Sequence, residues 1–373
     1  MKESPAYLRI YERLRQDIVA GEYPYGARLP GKRALAERMG VSTVTVAHAL
    51  DMLSDEGYLL PRQRSGCFVR YRAEEGFAGE ETPPESPKAE LPSSADVDGF
   101  SFPLLARTMR RVLSEEGERI MIRPPAEGLP ALRLALSRYL ARSRGLHAGP
   151  EQIVIGAGAE YLYGILTELL GAEGAWAIEN PSYEKIERVY RARGIRLCPL
   201  PMDREGIEPG ALRSCGARVL HVSPYRSYPS DVTASASRRR DYLRWADREP
   251  GRWLIEDDYE SEFNLSRRPA DTLFAASEKE NVLYLNTFSR TISPALRVGY
   301  LVLPRPLAEV YRERAGFHSC PAPVFEQYVL AELLDSGQFE RHLNRVRRRL
   351  RENRKAAENP ESGREAAEER QRR

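Results

Sequence analysis

The stretch Asn286–Tyr300 reads NTFSRTISPALRVGY. It follows the short apolar run 283–285 and leads into a second apolar run, 299–303. Short apolar runs bounded by turn residues are typical of buried strands. The hydroxyl-rich segment between the runs contains Arg290 and a Thr-Ile-Ser-Pro bend. This pattern predicts a turn that joins two strands of a core sheet.

This stretch resembles the segment that carries the cofactor lysine in fold-type-I pyridoxal-phosphate enzymes. The form is that of MocR-type regulators, Ser-Phe-Ser-Lys-Thr-Leu-x-Pro-x-Leu-Arg-x-Gly-Tyr. Arg290 stands where that family has the lysine that forms the imine. A lysine supplies a neutral amine because its pKa falls on burial, whereas a guanidinium stays protonated above roughly pH 12. The resemblance therefore implies a site without a catalytic residue, and pyridoxal 5′-phosphate bound non-covalently at best.

A general bias of the chain is the simpler explanation of Arg290. Only six of the 57 basic residues are lysines, so replacement of lysine by arginine is common here. Such replacement preserves charge and removes the nucleophile.

Length and composition limit the class of protein. A chain of 373 residues suggests two or three domains. No run reaches the roughly 18 apolar residues of a membrane span, and the polar N-terminus has no secretory signal. The four cysteines are scattered without CxxC spacing, which argues against a metal site or a disulfide framework. We therefore expect a cytoplasmic protein with no membrane partner and no metal.

The first seventy residues have the pattern of three short helices followed by a hairpin. Helices are predicted over 5–20 and Lys32–Met39, and a third begins after Ser42 as its N-cap. Strands are predicted around 58–60 and 67–69. This order is that of a winged helix-turn-helix. The predicted buried positions of the first and third helices are Leu8, Tyr11, Leu14, Ile18, Val46, Ala49, Leu50 and Leu53.

The same region resembles the GntR-family DNA-binding domain over its full length. The shared order is Leu-Pro, a basic pair, Leu-Ala-x-x-x-Gly-Val-Ser, Thr-Val-x-x-Ala-Leu, Glu-Gly-Tyr-Leu and Arg-x-x-Ser-Gly-x-Phe-Val. The resemblance implies a double-stranded DNA operator as partner, with the start of the third helix in the major groove and the wing against phosphates or the minor groove. The implied contact residues are Lys32, Arg33, Ser42, Thr43, Thr45, Arg62, Arg64, Ser65 and Gly66.

The net charge of residues 1–72 and one departure from the family pattern affect the DNA-binding interpretation. Residues 1–72 hold 12 basic and 8 acidic residues, a net +4 that suits DNA but is also that of an ordinary solvated face. Thr43 stands where the family commonly has arginine or lysine, so a strong guanine contact is missing.

Composition divides the chain into four parts. Residues 1–72 form the winged domain, and 73–98 are a Pro- and Ser-rich segment with eight acidic residues against Lys88, net −7, typical of an extended linker. Residues 99–354 alternate strand and helix patterns, which predicts an α/β domain with a mostly parallel sheet between helical layers. This domain resembles the aminotransferases of fold type I. Residues 355–373 are polar and read as a disordered or frayed tail.

The aminotransferase resemblance implies a cofactor pocket. Gly158 and Ala159 match the phosphate cup at a helix N-terminus. Asp257 matches the carboxylate that keeps the pyridine nitrogen protonated. These implied contacts also have purely structural explanations: Gly158 as a tight turn, Tyr183 as a core side chain and Asp257 as the partner of an arginine. The other implied contacts are Tyr183 on the ring face, Tyr259 at the 3-hydroxyl, Ser289 and Arg297 at the phosphate, and Arg123 in place of a tyrosine lent by a partner subunit.

Three departures affect this pocket. Glu160 follows the cup where the family has a neutral residue, and a carboxylate repels phosphate. The family's Ser-His-Gln-Phe-Pro-Thr-Gly stretch reads YRSYPSD over 225–231. The helix 339–354 matches the family, but the small C-terminal subdomain expected after it is missing. The segment 336–373, net +5, is more typical of a solvated helix than of a second DNA contact.

These observations favour a MocR-type transcriptional regulator: a homodimer on DNA, with an aminotransferase-like domain that is catalytically inactive and senses a small anionic effector. The alternative is an active aminotransferase fused to a DNA-binding domain, for which Lys185 is the only nearby amine in the sequence. A third interpretation is a decaying gene product whose shortened large domain folds poorly.

Overall fold

The computed structural model describes residues 5–62, 65–72, 100–265 and 271–358. The chain divides into two compact units, Met1–Ser93 and Ser94–Arg373. The linker predicted over 73–98 lies outside the described residues, as do Arg64 and the last 15 residues, 359–373. Within the described part of the chain, no helix combines the length and apolarity that a membrane crossing requires.

The N-terminal unit contains the predicted helices and hairpin in the predicted order. Leu59 lies opposite Val69 in the hairpin. The first helix buries Ile10, Leu14 and Ile18, while the predicted Leu8 and Tyr11 are only half-buried, because its inward stripe follows a spacing of four. The elements are α1 (Ala6–Val19), α2 (Lys32–Met39), α3 (Thr43–Asp55), β1 (Leu59–Arg62) and β2 (Gly66–Val69).

One residue fixes the C-terminus of α2 and another fixes the N-terminus of α3. Gly40 ends α2 in the left-handed conformation, φ 66°, which only glycine adopts without strain. Ser42 caps α3 as predicted, since its hydroxyl accepts from the backbone N–H of Thr45 at 3.1 Å. The predicted stripe of α3 is fully confirmed: Val46, Ala49, Leu50 and Leu53 are buried.

The C-terminal unit, within the described residues, builds one eight-stranded sheet in the order β3-β10-β9-β8-β7-β4-β5-β6. Pairing is parallel from β9 through β8, β7 and β4 to β5, whereas β10 runs antiparallel to β3 and β9, and β6 antiparallel to β5. The mostly parallel α/β fold is confirmed. The strands are β3 (Ile153–Gly156), β4 (Ala175–Asn180), β5 (Arg196–Asp203), β6 (Gly206–Ile207), β7 (Val219–Val222), β8 (Trp253–Asp257), β9 (Val282–Thr287) and β10 (Gly299–Val302).

Helices cover both faces of this sheet. Ile153 and Ile155 join one apolar cluster with α5 and α12, whereas Val154 between them joins another with α6, α7 and α11. This alternation follows from the pleat of a strand buried on both sides. The helices are α4 (Phe102–Glu116), α5 (Pro130–Arg144), α6 (Ala159–Leu170), α7 (Glu184–Ala192), α8 (Pro209–Ser214), α9 (Ala236–Arg248), α10 (Leu273–Ala276), α11 (Arg305–Ala315), α12 (Val324–Asp335) and α13 (Gln338–Glu358).

The turn predicted from the opening stretch joins β9 to β10. Thr287 pairs with Gly299 across the antiparallel ladder. A Cβ at Gly299 would lie 2.9 Å from Thr287 Cγ2 and 3.1 Å from Asn286 O, so glycine is required there. β8 ends at Asp257, which places that carboxylate at the carboxyl edge of the sheet. Sequence patterns missed α4, α8, α10, α11 and α12, and α13 runs four residues past the predicted boundary at 354.

Candidate functional site

The exposed start of α3 is the candidate DNA-reading surface of the N-terminal unit. Ser42 and Thr43 are exposed, but the Ser42 hydroxyl lies 2.7 Å from the Thr45 hydroxyl, so both are engaged in the helix cap. Thr43 and Val44 are thus the outward side chains beside the cap. Val44 is 76% exposed and was not selected from the sequence. The sequence did contain a signal for this residue. Val44 is apolar but lies outside the buried stripe of α3, which begins at Val46.

The predicted basic residues of this unit are exposed in two places. Lys32 and Arg33 begin α2. On the hairpin, the Arg62 guanidinium lies over the Phe68 ring, 4.7 Å from its centroid. Ser65 and Gly66 are exposed at the hairpin turn, where a Cβ on Gly66 would lie 3.1 Å from Arg28 Nε. Arg28 is therefore a further cation beside the wing, missed because it precedes the recognised motif.

A cavity of about 340 Å³ opens in the C-terminal unit, at the carboxyl ends of β7, β8 and β9 and the N-terminus of α6. Open α/β sheets bind ligands at this edge. Six of the eight predicted cofactor residues line it: Ala159, Tyr183, Asp257, Tyr259, Ser289 and Arg297. Contact of these residues with a cofactor stays a prediction. The other lining residues are Glu160, Tyr163, Ile186, Ser223, Arg226, Tyr228, Thr287, Arg290 and Pro294.

The two remaining predicted residues lie elsewhere. Gly158 is the N-cap of α6, and a Cβ there would be 3.1 Å from Arg297 Nη2, so the guanidinium packs directly on the cup. Arg123 is exposed and is not among the residues that line this cavity; its Nε donates to Ser319 Oγ at 2.6 Å. The resemblance assigns Arg123 to the pocket of a partner subunit, not to its own.

A buried carboxylate closes one end of the cavity. Asp257 Oδ2 accepts from the Tyr163 hydroxyl at 2.6 Å and lies 3.3 Å from His221 Nε2. His221 Nδ1 in turn lies 2.7 Å from the Tyr190 hydroxyl. Burial and the Asp257 charge raise the pKa of Tyr163 well above its ordinary value, so its proton stays on the phenol. Asp257 is thus an oriented acceptor that suits a protonated ring nitrogen.

Arg290 belongs to an ion-pair cluster in the lining of the cavity. Arg290 Nε donates to Glu260 Oε1 at 3.1 Å, and Arg226 Nη1 lies 2.9 Å from Glu260 Oε2. Arg226 has φ 49°, an uncommon conformation for a residue other than glycine. One carboxylate thereby joins two guanidinium groups from different loops. Neither Arg226 nor Glu260 was selected from the sequence, because the loops meet only in the fold.

A second cluster lies at the predicted phosphate end. Glu160, in the first turn of α6, is hydrogen-bonded to the Lys185 ammonium, and its other carboxylate oxygen is 3.3 Å from Arg297 Nη2. The Lys185 hydrogen bond is the main cause that lowers the pKa of Glu160, and it raises the pKa of Lys185. Ser289 points its hydroxyl to the Leu296 carbonyl at 3.2 Å.

The residues present fit pyridoxal 5′-phosphate only in part. Asp257 and the surrounding tyrosines suit a pyridine ring. No lysine is among the lining residues of this cavity, so the covalent bond has no partner there. At the phosphate end the Glu160 carboxylate already pairs with both cations, Lys185 and Arg297. Within the described residues, no group of histidine, cysteine and acidic side chains could hold a metal ion.

Two families match the chain. Residues 6–69 match the bacterial regulatory proteins of the gntR family, and residues 93–359 match aminotransferase class I and II. The chain is 30% identical to the HTH-type transcriptional regulator YdeL of Bacillus subtilis, covering 94% of this chain and 78% of that protein. It is also 30% identical to the probable rhizopine catabolism regulatory protein MocR of Rhizobium meliloti, covering 94% and 76%.

A solved structure has the fold of the C-terminal unit. An archaeal alanine:glyoxylate aminotransferase superposes with a TM-score of 0.60 at 24% identity over 65% of this chain. The chain spans 62% of the length of that enzyme. The likeness therefore concerns the fold alone.

Proposed function

The chain belongs to the gntR family of bacterial regulatory proteins, in the MocR-type form that carries a class I and II aminotransferase domain, and from this premise we propose a regulator that binds operator DNA as a homodimer and senses a small molecule without catalysis.

The observation that carries DNA binding is the exposed start of α3. Thr43 and Val44 project there, beside a helix cap closed by Ser42 and Thr45. A hydroxyl reaches base edges, and an apolar side chain contacts the thymine 5-methyl group. Lys32, Arg33 and Arg62 supply the phosphate contacts, with Ser65 and Gly66 at the wing.

Selection from random duplexes followed by binding measurements tests this proposal. Lys32→Ala should weaken binding to all sequences alike and reduce the salt slope of log K by about one. Arg38→Ala, which removes a cation from the last turn of the same helix, is the matched control. Failure to select any duplex, or equal effects of the two variants, contradicts the proposal.

Three exposed apolar side chains support the homodimer. Met121, Ile122 and Phe317, here called the Ile122 patch, are 84%, 63% and 75% exposed. The Arg123–Ser319 hydrogen bond joins the two segments that carry them. Clustered exposed apolar residues mark interaction sites. A second copy is the occupant we propose, because Arg123 in the same segment would then reach the partner's pocket, to which the resemblance assigns it, and not its own.

The aminotransferase-like unit is proposed to lack transaminase activity. Arg290 is a guanidinium, which has no neutral amine to offer, and it is paired with Glu260. The rival interpretation requires Lys185, whose amine is committed to Glu160 and whose pKa is raised by that hydrogen bond. Incubation with pyridoxal 5′-phosphate, borohydride reduction and peptide mapping separates the two. A stoichiometric phosphopyridoxyl adduct on Lys185 would establish the enzyme interpretation.

The cavity supports a sensing role in place of catalysis. It offers a buried acceptor and aromatic walls, a lining that suits a pyridine-type ring such as that of pyridoxal 5′-phosphate or a related metabolite. A ligand that favours one arrangement of the dimer shifts the relative placement of the two DNA-binding domains. Operator affinity measured with and without the ligand tests this coupling.

A further inference from the structure

We infer that Glu160 is an internal anion in the phosphate cup, so that the cavity admits an unphosphorylated pyridine-type ring and discriminates against its phosphate ester. This inference rests on the proposed sensing function and specifies its ligand class.

The geometry places Glu160 in competition with a phosphate. Its carboxylate bridges Lys185 and Arg297, and Arg297 packs against Gly158, the residue that would cradle the phosphate. An incoming phosphate and Glu160 would therefore need the same two cations. Arg297 lines the cavity, whereas Lys185 contacts the lining residue Glu160 without lining the cavity itself, a connection that the sequence alone did not show.

Electrostatics favour the internal anion. Glu160 lies in the first turn of α6, where a negative charge is stabilised by the free N–H groups of the helix end. The hydrogen bond from Lys185 lowers the pKa of Glu160, so the carboxylate is charged at neutral pH. A phosphate dianion entering the cup must either displace this carboxylate or lie beside it, and both cost free energy.

The other end of the cavity imposes no such penalty. Asp257 is held by Tyr163 and His221 and faces the space between the tyrosine walls. A ring nitrogen that carries a proton is attracted there, whether or not the ring bears a phosphate. The selectivity therefore comes from Glu160, and the ring recognition from Asp257.

Calorimetric titration with pyridoxine and pyridoxine 5′-phosphate tests the inference on the full-length chain. Both probes are alcohols and form no imine with lysines, so only non-covalent binding is measured. We expect the wild type to bind pyridoxine at least about threefold more tightly than the ester. Glu160→Gln should bind the ester about tenfold tighter than the wild type does, with pyridoxine unchanged, because the cations are released to the phosphate. Glu184→Gln, which removes a neighbouring exposed carboxylate on α7, is the matched control and should behave as wild type.

The outcomes are distinguishable. A wild type that binds the ester as tightly as pyridoxine, or more tightly, overturns the inference, as does a Glu160→Gln variant with unchanged preference. Absence of binding by either protein to either probe also overturns it, while operator binding, measured on the same samples, leaves the regulator function standing. Conversely, loss of operator binding with the Glu160 effect intact removes the regulator proposal and keeps the inference.

Discussion

Arg290 is paired with Glu260, Nε to Oε1 at 3.1 Å, in the turn that joins β9 to β10. The same carboxylate also holds Arg226 from a separate loop. Arg290 is therefore part of an ion-pair cluster that joins separate loops. Mutation of Arg290 should change both the chemistry at position 290 and the positions of these loops.

Placing an amine at position 290 should permit covalent labelling. In Arg290→Lys we expect pyridoxal 5′-phosphate and borohydride to label residue 290, because a lysine can lose its proton and attack an aldehyde. The Glu260 carboxylate favours the ammonium form, so adding Glu260→Gln should increase labelling at neutral pH. Peptide mapping by mass spectrometry measures the yield. Arg290→Ala is the control, and an Arg290→Lys protein no more labelled at this turn than Arg290→Ala would refute the prediction.

Val44 should read a thymine methyl group. On the selected operator, replacing the contacted thymine by uracil removes one methyl, worth about 0.8 kcal/mol, or about fourfold in affinity. We expect this loss for the wild type and none for Val44→Ala, measured by fluorescence anisotropy across a uracil scan. Val19→Ala alters an exposed aliphatic residue on α1 and should keep the sensitivity. A uracil profile that Val44→Ala leaves unchanged contradicts the contact.

A charge in the Ile122 patch should separate the dimer. Ile122→Glu places a carboxylate in the proposed apolar interface, where it has no partner. Light scattering should then give the mass of one 42.3 kDa chain instead of two. Leu134→Glu adds the same charge at another exposed aliphatic residue, on α5, and should stay dimeric. The prediction fails if both variants remain dimers or if the wild type is already a monomer.

Buried glutamates should make the large unit less stable as pH rises. Burial raises the pKa of Glu179 from 4.5 to about 8, against the opposing hydrogen bond from Ser227. The folded state thus holds this proton more tightly, so its contribution to stability is complete below pH 4.5 and is lost as pH approaches 8. Burial raises the pKa of Glu256 and of Glu262 to about 7, with the same sign.

Glu179→Gln should therefore show a smaller fall in Tm between about pH 5 and about pH 8 than the wild type does. Thermal unfolding followed by circular dichroism measures this slope. Glu278→Gln, at an exposed position, is the control and should leave it unchanged. Equal slopes in Glu179→Gln and the wild type would show that Glu179 is charged in the folded state.

Local patterns determined much of this protein. The apolar stripe of α3, its Ser42 cap, the strands on either side of the Arg290 turn and the two-domain order all follow from spacing along the chain, since helix and strand periods are local. The family motifs likewise identified six residues that line one cavity.

Only the tertiary structure decided which charges meet. Glu160 with Lys185 and Arg297, and Glu260 with Arg226 and Arg290, are contacts made between separate helix ends and loops around one cavity. Val44 is a similar case. A valine is expected in the core, but whether this one is exposed depends on how α3 packs. Sequence periodicity records which face of an element is buried, but the partner of a charged side chain depends on distances set by the whole sheet.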